Sequence, residues 1–273
     1  MKLSGVASNM AVLIFAGIGR KDRELWAGVS NFNGKAHIMV ADRTMLDWVK
    51  ISIRSAGLAV TAVIGEWIIG DTVSLSGYKL LAGTGSLAGN LWKMVRSTKS
   101  EVNNLLLVSC DIPDVQDGLA KFVDEARDTR GVAVGIIDSR ICSNAYHGAK
   151  PTSLWIQGVP YTLCNAIIVR KQVLLDNAEL VELMIGKKKS KCKLALVVAR
   201  VAPWVAFKAM TSFLTKGKFL RLEELTGAFT KLLKGAEARV VISNDPGFGF
   251  DGDDPEKCRI LDRAMRQRLQ IAT

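Results

Sequence analysis

The chain alternates short apolar runs with stretches of helical periodicity, and this alternation restricts the fold more than any other feature. Between the runs, apolar residues recur at helical spacing, as at Leu46, Val49 and Ile53. A βαβαβαβ order of this kind requires a mostly parallel sheet with helices on both faces. We therefore predict an α/β protein of three layers, in which a mostly parallel mixed sheet is flanked by helices. The predicted strands are Met10–Ala16, Leu58–Ile64, Asn104–Ser109 and Val132–Ile137, and the predicted helices are Met45–Ala56, Ser86–Ser97 and Val115–Arg127.

The second half of the chain is less regular. Two strands, Thr152–Gln157 and Thr162–Val169, are expected to pair around Gly158–Pro160. The last helix should begin at Pro255, with Asp254 as its N-cap. No repeat or low-complexity linker divides the sequence, so residues 10–273 are predicted to form a single domain, with residues 1–9 as an extension that can be mobile. The other predicted elements are the helices Leu174–Ile185, Ala202–Leu214, Leu222–Leu233 and Pro255–Leu269, and the strand Ala238–Ser243.

The positive charge of the chain is concentrated in one segment. The 37 Lys and Arg residues exceed the 26 Asp and Glu residues by 11, and Lys187–Arg221 holds ten of the basic residues and none of the acidic ones. A nucleic-acid coat would spread its charge more widely, and aromatic residues are not interleaved with the basic run, so we expect no nucleic-acid partner. A local anion site and a solvated helical face both remain open. The aromatic residues of this segment are expected to belong to the core; they are Trp204, Phe207, Phe213 and Phe219.

The numbers and spacing of cysteine and histidine restrict which metal sites and which cellular compartment the sequence favours. The five cysteines contain no C-x-x-C pair and no zinc-ligand spacing, which favours buried free thiols in a reducing compartment, and hence a cytoplasmic location. With only His37 and His147 present, a histidine-rich metal site is excluded. No apolar run reaches the roughly 18 residues of a membrane span. The cysteines are Cys110, Cys142, Cys164, Cys192 and Cys258.

Candidate chemistry lies at the predicted strand ends, where open α/β sheets bind ligands. The first strand runs into Ala16-Gly17-Ile18-Gly19-Arg20-Lys21, and Gly34-Lys35 follows. Glycines let the backbone approach a phosphate, and Arg and Lys supply charge. The pattern is neither a P-loop nor a dinucleotide fingerprint. Taken alone, it slightly favours a tight strand-to-helix turn with solvated basic residues over a phosphate site.

Carboxylates follow two other strands. Asp111-Ile112-Pro113 comes after the third strand, where Asp111 can offer a hard ligand to a Mg²⁺–phosphate complex or can cap a turn. The segment Asp251-Gly252-Asp253-Asp254-Pro255-Glu256 places four acids in six residues. Such acids repel one another unless a cation, a cap or solvent relieves them. A second metal ligand and a simple loop with a helix cap are both compatible with this segment.

Taken together, these motifs resemble the MobA-like nucleotidyltransferases, the group that includes molybdenum-cofactor guanylyltransferases and sugar-phosphate nucleotidylyltransferases. The L-A-G-G-x-G loop of that family resembles Phe15–Arg20, and its following Lys resembles Lys35. Its G-R-P-M-L entry to the first helix resembles Asp42–Leu46, its D-x-P resembles Asp111–Pro113, and its D-x-D-x-P-E resembles Asp251–Glu256. Further similarity to a bacterial subgroup lies in Gly83–Leu87 with Asn90, in Gly158–Asn165 and in Lys188–Lys191.

The resemblance implies a Rossmann-like nucleotidyltransferase fold of the GT-A type, and a Mg²⁺-dependent transfer of NMP from an NTP to a phosphorylated acceptor, with release of pyrophosphate. Lys35 and Arg20 would be the catalytic residues, Asp111 would hold Mg²⁺, and Asp253, or alternatively Asp251, would be the second carboxylate. The nucleotide would contact Ala16, Gly17, Ile18, Gly19, Arg20, Lys35, Gly83, Gly85 and Ser86. The acceptor, a sugar phosphate or cofactor precursor, would contact Asn165, Lys188 and Lys189.

Two other interpretations of the same motifs stay open. A glycosyltransferase that uses a nucleotide sugar would share the fold, but it usually carries D-x-D directly after a strand, and Asp111-Ile112-Pro113 lacks the second acid. A non-catalytic nucleotide-binding relative would explain why Ile18, a β-branched residue, replaces the second glycine of the phosphate loop.

Overall fold

The computed structural model describes residues 9–16, 34–66, 72–75, 77–115, 117–186 and 198–271. Nine strands in this part of the chain form one mixed sheet, and two short strands form a separate hairpin. The strands are β1 Met10–Phe15, β2 Met39–Val40, β3 Arg43–Thr44, β4 Val60–Gly65, β5 Thr72–Leu75, β6 Tyr78–Ala82, β7 Asn104–Ser109, β8 Val132–Asp138, β9 Leu154–Ile156, β10 Val159–Arg170 and β11 Ala238–Ser243. The order across the sheet is β11-β8-β10-β7-β1-β4-β6-β5, and β9 pairs with β10.

Most strands of the sheet run in one direction. β1 lies between β7 and β4 and pairs with both in parallel, with Leu13 opposite Leu107 and Ala62. β10 is antiparallel to both β7 and β8, and β11 is parallel to β8. The carboxyl ends of β1, β4, β6, β7, β8 and β11 therefore meet at one edge of the sheet.

Helices cover both faces of the sheet, which confirms the predicted three-layer α/β architecture. Successive residues of β1 enter different cores: Val12 and Ile14 pack in one cluster, and Ala11 and Leu13 pack in the other. The first cluster includes apolar residues of the helices Met45–Ser55, Asp117–Ala126 and Pro255–Ile271, and the second includes residues of the helices Leu87–Ser97 and Ala178–Gly186. The helices are α1 Met45–Ser55, α2 Leu87–Ser97, α3 Asp117–Ala126, α4 Ser139–Ala145, α5 Lys171–Asp176, α6 Ala178–Gly186, α7 Pro203–Thr215, α8 Leu222–Leu232 and α9 Pro255–Ile271.

The differences from the sequence prediction have local causes. The helix predicted over Leu174–Ile185 is two helices, because the chain breaks at Asn177, whose side chain donates to the carbonyl of Val173 at 2.9 Å. The hairpin of β5 and β6 was not predicted, since β6 is mostly half-buried and its short sequence YKLLA has no clear alternation. The small hairpin of β2 and β3 was also not predicted.

The prediction that Trp204 and Phe207 belong to the core is wrong. Both side chains lie on α7, and they are 64% and 54% exposed. The helix turns its other face, which includes Ala206 and Ser212, toward the protein, and it contacts β9. Phe219 is exposed as well, so aromatic character at these three positions did not indicate burial.

The cysteine prediction is confirmed for the four cysteines in the described part of the chain, which are all buried free thiols. Burial raises the pKa of Cys142 and of Cys258 to about 12, so both are protonated at neutral pH. Cys192 lies outside the described residues. No helix in the described ranges combines the length and apolarity needed to cross a membrane.

Candidate active site

Asp111 lies where the sheet edge meets the loop after β11. The backbone N–H of Cys110 donates to the carbonyl of Phe15 at 2.9 Å, which continues the β1–β7 pairing beyond the strand ends. Ser109 Oγ donates to Asp111 Oδ1, and the Gly252 N–H donates to the Asp111 carbonyl at 2.7 Å. The Asp111 side chain is buried and held on a hydrogen-bonded backbone, an arrangement that suits a residue presenting charge to a ligand.

Lys35 forms a buried ion pair with Asp111. Its Nζ lies 3.3 Å from Asp111 Oδ2, across 76 residues of sequence. Lys35 begins a short 3₁₀ turn after Gly34, whose φ of 114° is a conformation that favours glycine. The residue expected to reach a phosphate and the residue expected to hold a metal thus lie side by side.

The acidic loop is organised by Lys257, a residue that the sequence analysis did not single out. Lys257 Nζ lies 2.9 Å from Asp251 Oδ1 and 2.6 Å from Asp253 Oδ1. The Lys257 N–H donates to Asp254 Oδ1 at 2.9 Å, which confirms Asp254 as the N-cap of α9. The i,i+4 spacing of Asp253 and Lys257 on a predicted helix start was the available sequence signal.

The carboxylates of this cluster repel one another. Burial raises the pKa of Asp251, the charges of Asp111 and Asp253 raise it further, and Lys257 opposes the shift. Burial lowers the pKa of Lys257, but its ion pairs with Asp253 and Asp251 outweigh burial and leave the pKa above its usual value. The carboxylates of Asp111, Asp251 and Asp253 and the ammonium groups of Lys35 and Lys257 form this charged cluster. Its formal charge is −1, so it can accept a cation.

Asn165 joins this cluster through a distortion of β10. Pairing of β10 with β8 shifts register between Leu163 and Ile167, which is the signature of a bulge. Asn165 Nδ2 donates to Asp251 Oδ2 at 3.4 Å. The residue predicted for the acceptor therefore contacts one of the two candidate second carboxylates.

The loop after β6 lies two strands along from β1, about 10 Å away at the usual strand spacing. Ser86 Oγ accepts from the Gly89 N–H at 3.0 Å and caps α2, and Asn90 Oδ1 accepts from the Thr84 N–H at 2.7 Å. A side chain at Gly83 would lie 2.8 Å from Glu66. Local packing thus explains Gly83 and Ser86, and Gly85 and Ser86 are exposed at the same sheet edge.

The phosphate loop itself is only partly described. Ala16 is buried at the end of β1, where its N–H donates to the Ile64 carbonyl at 2.8 Å. The remaining predicted residues Gly17, Ile18, Gly19, Arg20, Lys188 and Lys189 lie outside the described residues.

The donor set fits a Mg²⁺ ion that is shared with a ligand. Among the described residues, no three His, Cys, Asp or Glu side chains converge as a complete metal site. Mg²⁺ commonly takes only one or two carboxylates and completes its shell with water and substrate phosphates. Asp111 with Asp251 or Asp253 supplies this number of hard oxygen ligands.

A cleft of about 740 Å³ lies at the other edge of the sheet. It is lined by residues at the amino ends of β1, β4 and β6, including Met10, Val60 and Lys79, and none of the described candidate residues lines it. The charged cluster, rather than this cleft, lies at the edge where parallel sheets bind ligands.

Comparison of the sequence with protein-family profiles and with curated proteins gives no match. Solved structures share the fold. A hypothetical transferase from Thermus thermophilus has a TM-score of 0.73 and 22% identity, with 92% of this chain and 99% of that chain covered. A 2-C-methyl-D-erythritol 4-phosphate cytidylyltransferase from Thermus thermophilus has a TM-score of 0.54 and 15% identity, with coverage of 94% and 98%. A putative glucose-1-phosphate thymidylyltransferase from Bacillus anthracis has a TM-score of 0.56 and 10% identity, with coverage of 94% and 95%. The chain therefore shares the mixed α/β fold of this hypothetical transferase, of the cytidylyltransferase and of the putative thymidylyltransferase.

Proposed function

We propose that the chain is a Mg²⁺-dependent nucleotidyltransferase that transfers NMP from an NTP to a phosphorylated acceptor, such as a sugar phosphate or cofactor precursor, and releases pyrophosphate. The observation that carries the proposal is the buried Lys35–Asp111 pair at the carboxyl edge of the sheet. Asp251 lies close enough to Asp111 for the two carboxylates to repel each other. The fold shared with a cytidylyltransferase and a putative thymidylyltransferase supports it.

The reaction needs charge neutralisation more than proton transfer. An acceptor phosphate oxygen attacks the α-phosphorus, the new P–O bond forms, and the bond to the β-phosphate oxygen breaks, so pyrophosphate leaves with the electron pair. The attacking oxygen is already ionised at neutral pH, and no general base is required. This agrees with a described cluster built from lysines and carboxylates.

Each residue of the cluster has a defined task in this proposal. Lys35 donates to a phosphate oxygen and, with Arg20, balances the charge on the triphosphate. Asp111 with Asp251 or Asp253 would hold Mg²⁺, which when bound neutralises phosphate charge and polarises the α-phosphate. Asp251 is the better supported second carboxylate, because the Asp111 charge acts on it and because the Asp253 side chain is 43% exposed. Asn165 orients Asp251.

The proposal is tested first by nucleotide binding. We expect at least one NTP to raise Tm in the presence of Mg²⁺ and to have little effect without it, since a ligand at 100 times its Kd adds about 2.7 kcal/mol to stability. The measurement is a thermal-shift panel of the common NTPs, with and without MgCl₂. If no nucleotide stabilises the protein, the proposal fails, and so does the alternative of a nucleotide-binding relative without catalysis.

The reaction type is tested next. Incubation with the stabilising NTP and a panel of sugar phosphates should release pyrophosphate. Release of a nucleoside diphosphate from a nucleotide sugar would instead identify a glycosyltransferase.

Lys257 should oppose metal binding. Replacing Lys257 with Gln changes the formal charge of the cluster from −1 to −2, so we expect the Mg²⁺ concentration at the midpoint of thermal stabilisation to fall by about fivefold. The measurement is Tm against MgCl₂ without nucleotide. Lys50→Gln is the matched control, because Lys50 pairs with Asp47 on α1 at 3.2 Å and should leave the midpoint unchanged. An unchanged midpoint in Lys257→Gln would contradict the assignment.

A further inference from the structure

One helix carries apolar side chains on the face that points away from the protein. Trp204, Phe207, Met210 and Leu214 recur three and four residues apart on α7, and they are 64%, 54%, 67% and 83% exposed. Residues at this spacing share one face of a helix. An outward face of this composition is unusual for a surface helix and marks an interaction site.

The opposite face anchors α7, so the apolar side chains stay outside. Ala206 and Ser212 are buried there. After the helix, the carbonyls of Gly217 and Lys216 accept hydrogen bonds from the N–H groups of Gln157 and Gly158 at 2.9 and 3.0 Å. These bonds attach α7 to the hairpin of β9 and β10, the strand that also carries Asn165.

Cations flank the apolar face at both ends. Arg200 precedes α7, while Lys216, Lys218 and Arg221 follow it, and all four are exposed. Lys208, within the helix, forms an ion pair with Glu224 at 2.6 Å. Five further lysines lie in the sequence between residues 187 and 193, and no acidic residue occurs from 187 to 221.

We propose that this face of α7, with its flanking cations, docks on the surface of an anionic lipid bilayer. Trp, Phe and Leu side chains insert at the boundary between headgroups and acyl chains, while Lys and Arg at the rim contact lipid phosphates. The helix lies in the interface without crossing it. The proposal does not depend on the proposed catalytic activity.

The charge pattern disfavours the other occupants of this face. In a symmetric dimer the same patch would face itself, and the exposed cations around α7 would repel their copies. The other 238 residues sum to a formal charge of +1, so a copy of this chain carries no overall negative excess to meet the segment. Single-stranded nucleic acid is bound through aromatic stacking, and Met210 and Leu214 cannot contribute to it.

The experiment is vesicle flotation of the full chain with phosphatidylcholine alone and with equal parts of phosphatidylcholine and phosphatidylglycerol. We expect binding only to the anionic vesicles, and we expect it to weaken as NaCl is raised. The double variant Trp204→Gln/Phe207→Gln should lower the partition coefficient by about tenfold or more. Both side chains are exposed, so this variant should fold, which circular dichroism and Tm will verify.

A matched control removes the same number of exposed apolar side chains elsewhere. Met39→Gln/Leu175→Gln replaces residues that are 58% and 46% exposed, and it should bind anionic vesicles like the wild type. Equal loss in both double variants would overturn the proposal. Absence of vesicle binding would overturn it too. In that case, a dimer in light scattering that Trp204→Gln/Phe207→Gln separates would identify a second copy of the chain as the occupant of this face. Binding of single-stranded RNA in fluorescence anisotropy would instead identify a nucleic acid.

Discussion

Replacing Asp111 with Asn is expected to lower kcat/KM for NMP transfer by at least about a thousandfold while the protein stays folded. The substitution removes a buried negative charge that lies 3.3 Å from Lys35 and that acts on Asp251. An Asn side chain has the same shape and can still accept from Ser109 Oγ, so the loop geometry should persist. Pyrophosphate release and the Mg²⁺-dependent thermal shift with NTP are the measurements, and both should decrease.

Asp128→Asn is the matched control for this prediction. Asp128 lies in the turn before β8, at the other edge of the sheet, and its side chain is 87% exposed. The same change of charge there should leave turnover and Tm nearly unchanged. Retained turnover in Asp111→Asn would remove Asp111 from the catalytic assignment and would take the central support from the proposed function.

Replacing Arg268 with Met is expected to lower the free energy of unfolding by about 2 kcal/mol at neutral pH. Arg268 donates to the fully buried carboxylate of Asp114, whose Oδ2 also accepts from Tyr146 Oη at 2.5 Å. Asp114 Oδ1 has no hydrogen-bond partner within the described ranges. Without Arg268, the buried charge of Asp114 loses its neighbouring positive charge. Because the Arg268 side chain is 39% exposed, we expect a smaller loss of stability than for a fully buried ion pair.

The effect of Arg268→Met should depend on pH. Burial raises the pKa of Asp114, and the Tyr146 and Arg268 interactions oppose the shift, so removal of Arg268 raises the pKa further. The folded state then binds more protons than the unfolded state between the ordinary Asp pKa and the raised value. Stability therefore falls as pH rises through this interval, and mild acid should recover part of the loss.

Urea unfolding at several pH values measures this prediction, with Arg266→Met as the matched control on the same helix. Arg266 pairs with Asp42 and Asp262, and Asp42 is 81% exposed, so its replacement should change stability little at any pH. Equal destabilisation in both variants would mean that loss of arginine packing, rather than charge burial, governs the result.

The sequence predicted the central strands of the sheet, though not β5 and β6, and it predicted which polar residues follow those strands, because both are local properties. The apolar run in β1 and the run NLLLVS in β7 had to be buried, and the polar residues that follow had to lie where the strands end. Asp111 and the N-cap Asp254 were found in this way. The glycine loop and Lys35 were also noted from the residues alone, which left a structural explanation open. The resemblance added their proposed roles and the candidate Asn165.

What only the tertiary structure decided is which distant residues meet. The pairing of Lys35 with Asp111 depends on a turn after Gly34 that returns to the edge of β7, and the contact of Asn165 with Asp251 depends on a bulge in β10. The i,i+4 spacing of Asp253 and Lys257 was only a weak indication of their pairing. The contact of Lys257 with Asp251 depends on how the loop before α9 folds.

The basic segment, residues 187–221, shows most clearly what the sequence determines and what only the tertiary structure determines. Sequence alone established that residues 187–221 carry +10 of the net charge of +11. It could not establish that Trp204 and Phe207 are exposed, because an apolar side chain is buried only when another surface covers it, and α7 turns its other face to β9. Composition determines what a segment can bury, and the packing of distant elements determines what it leaves on the surface.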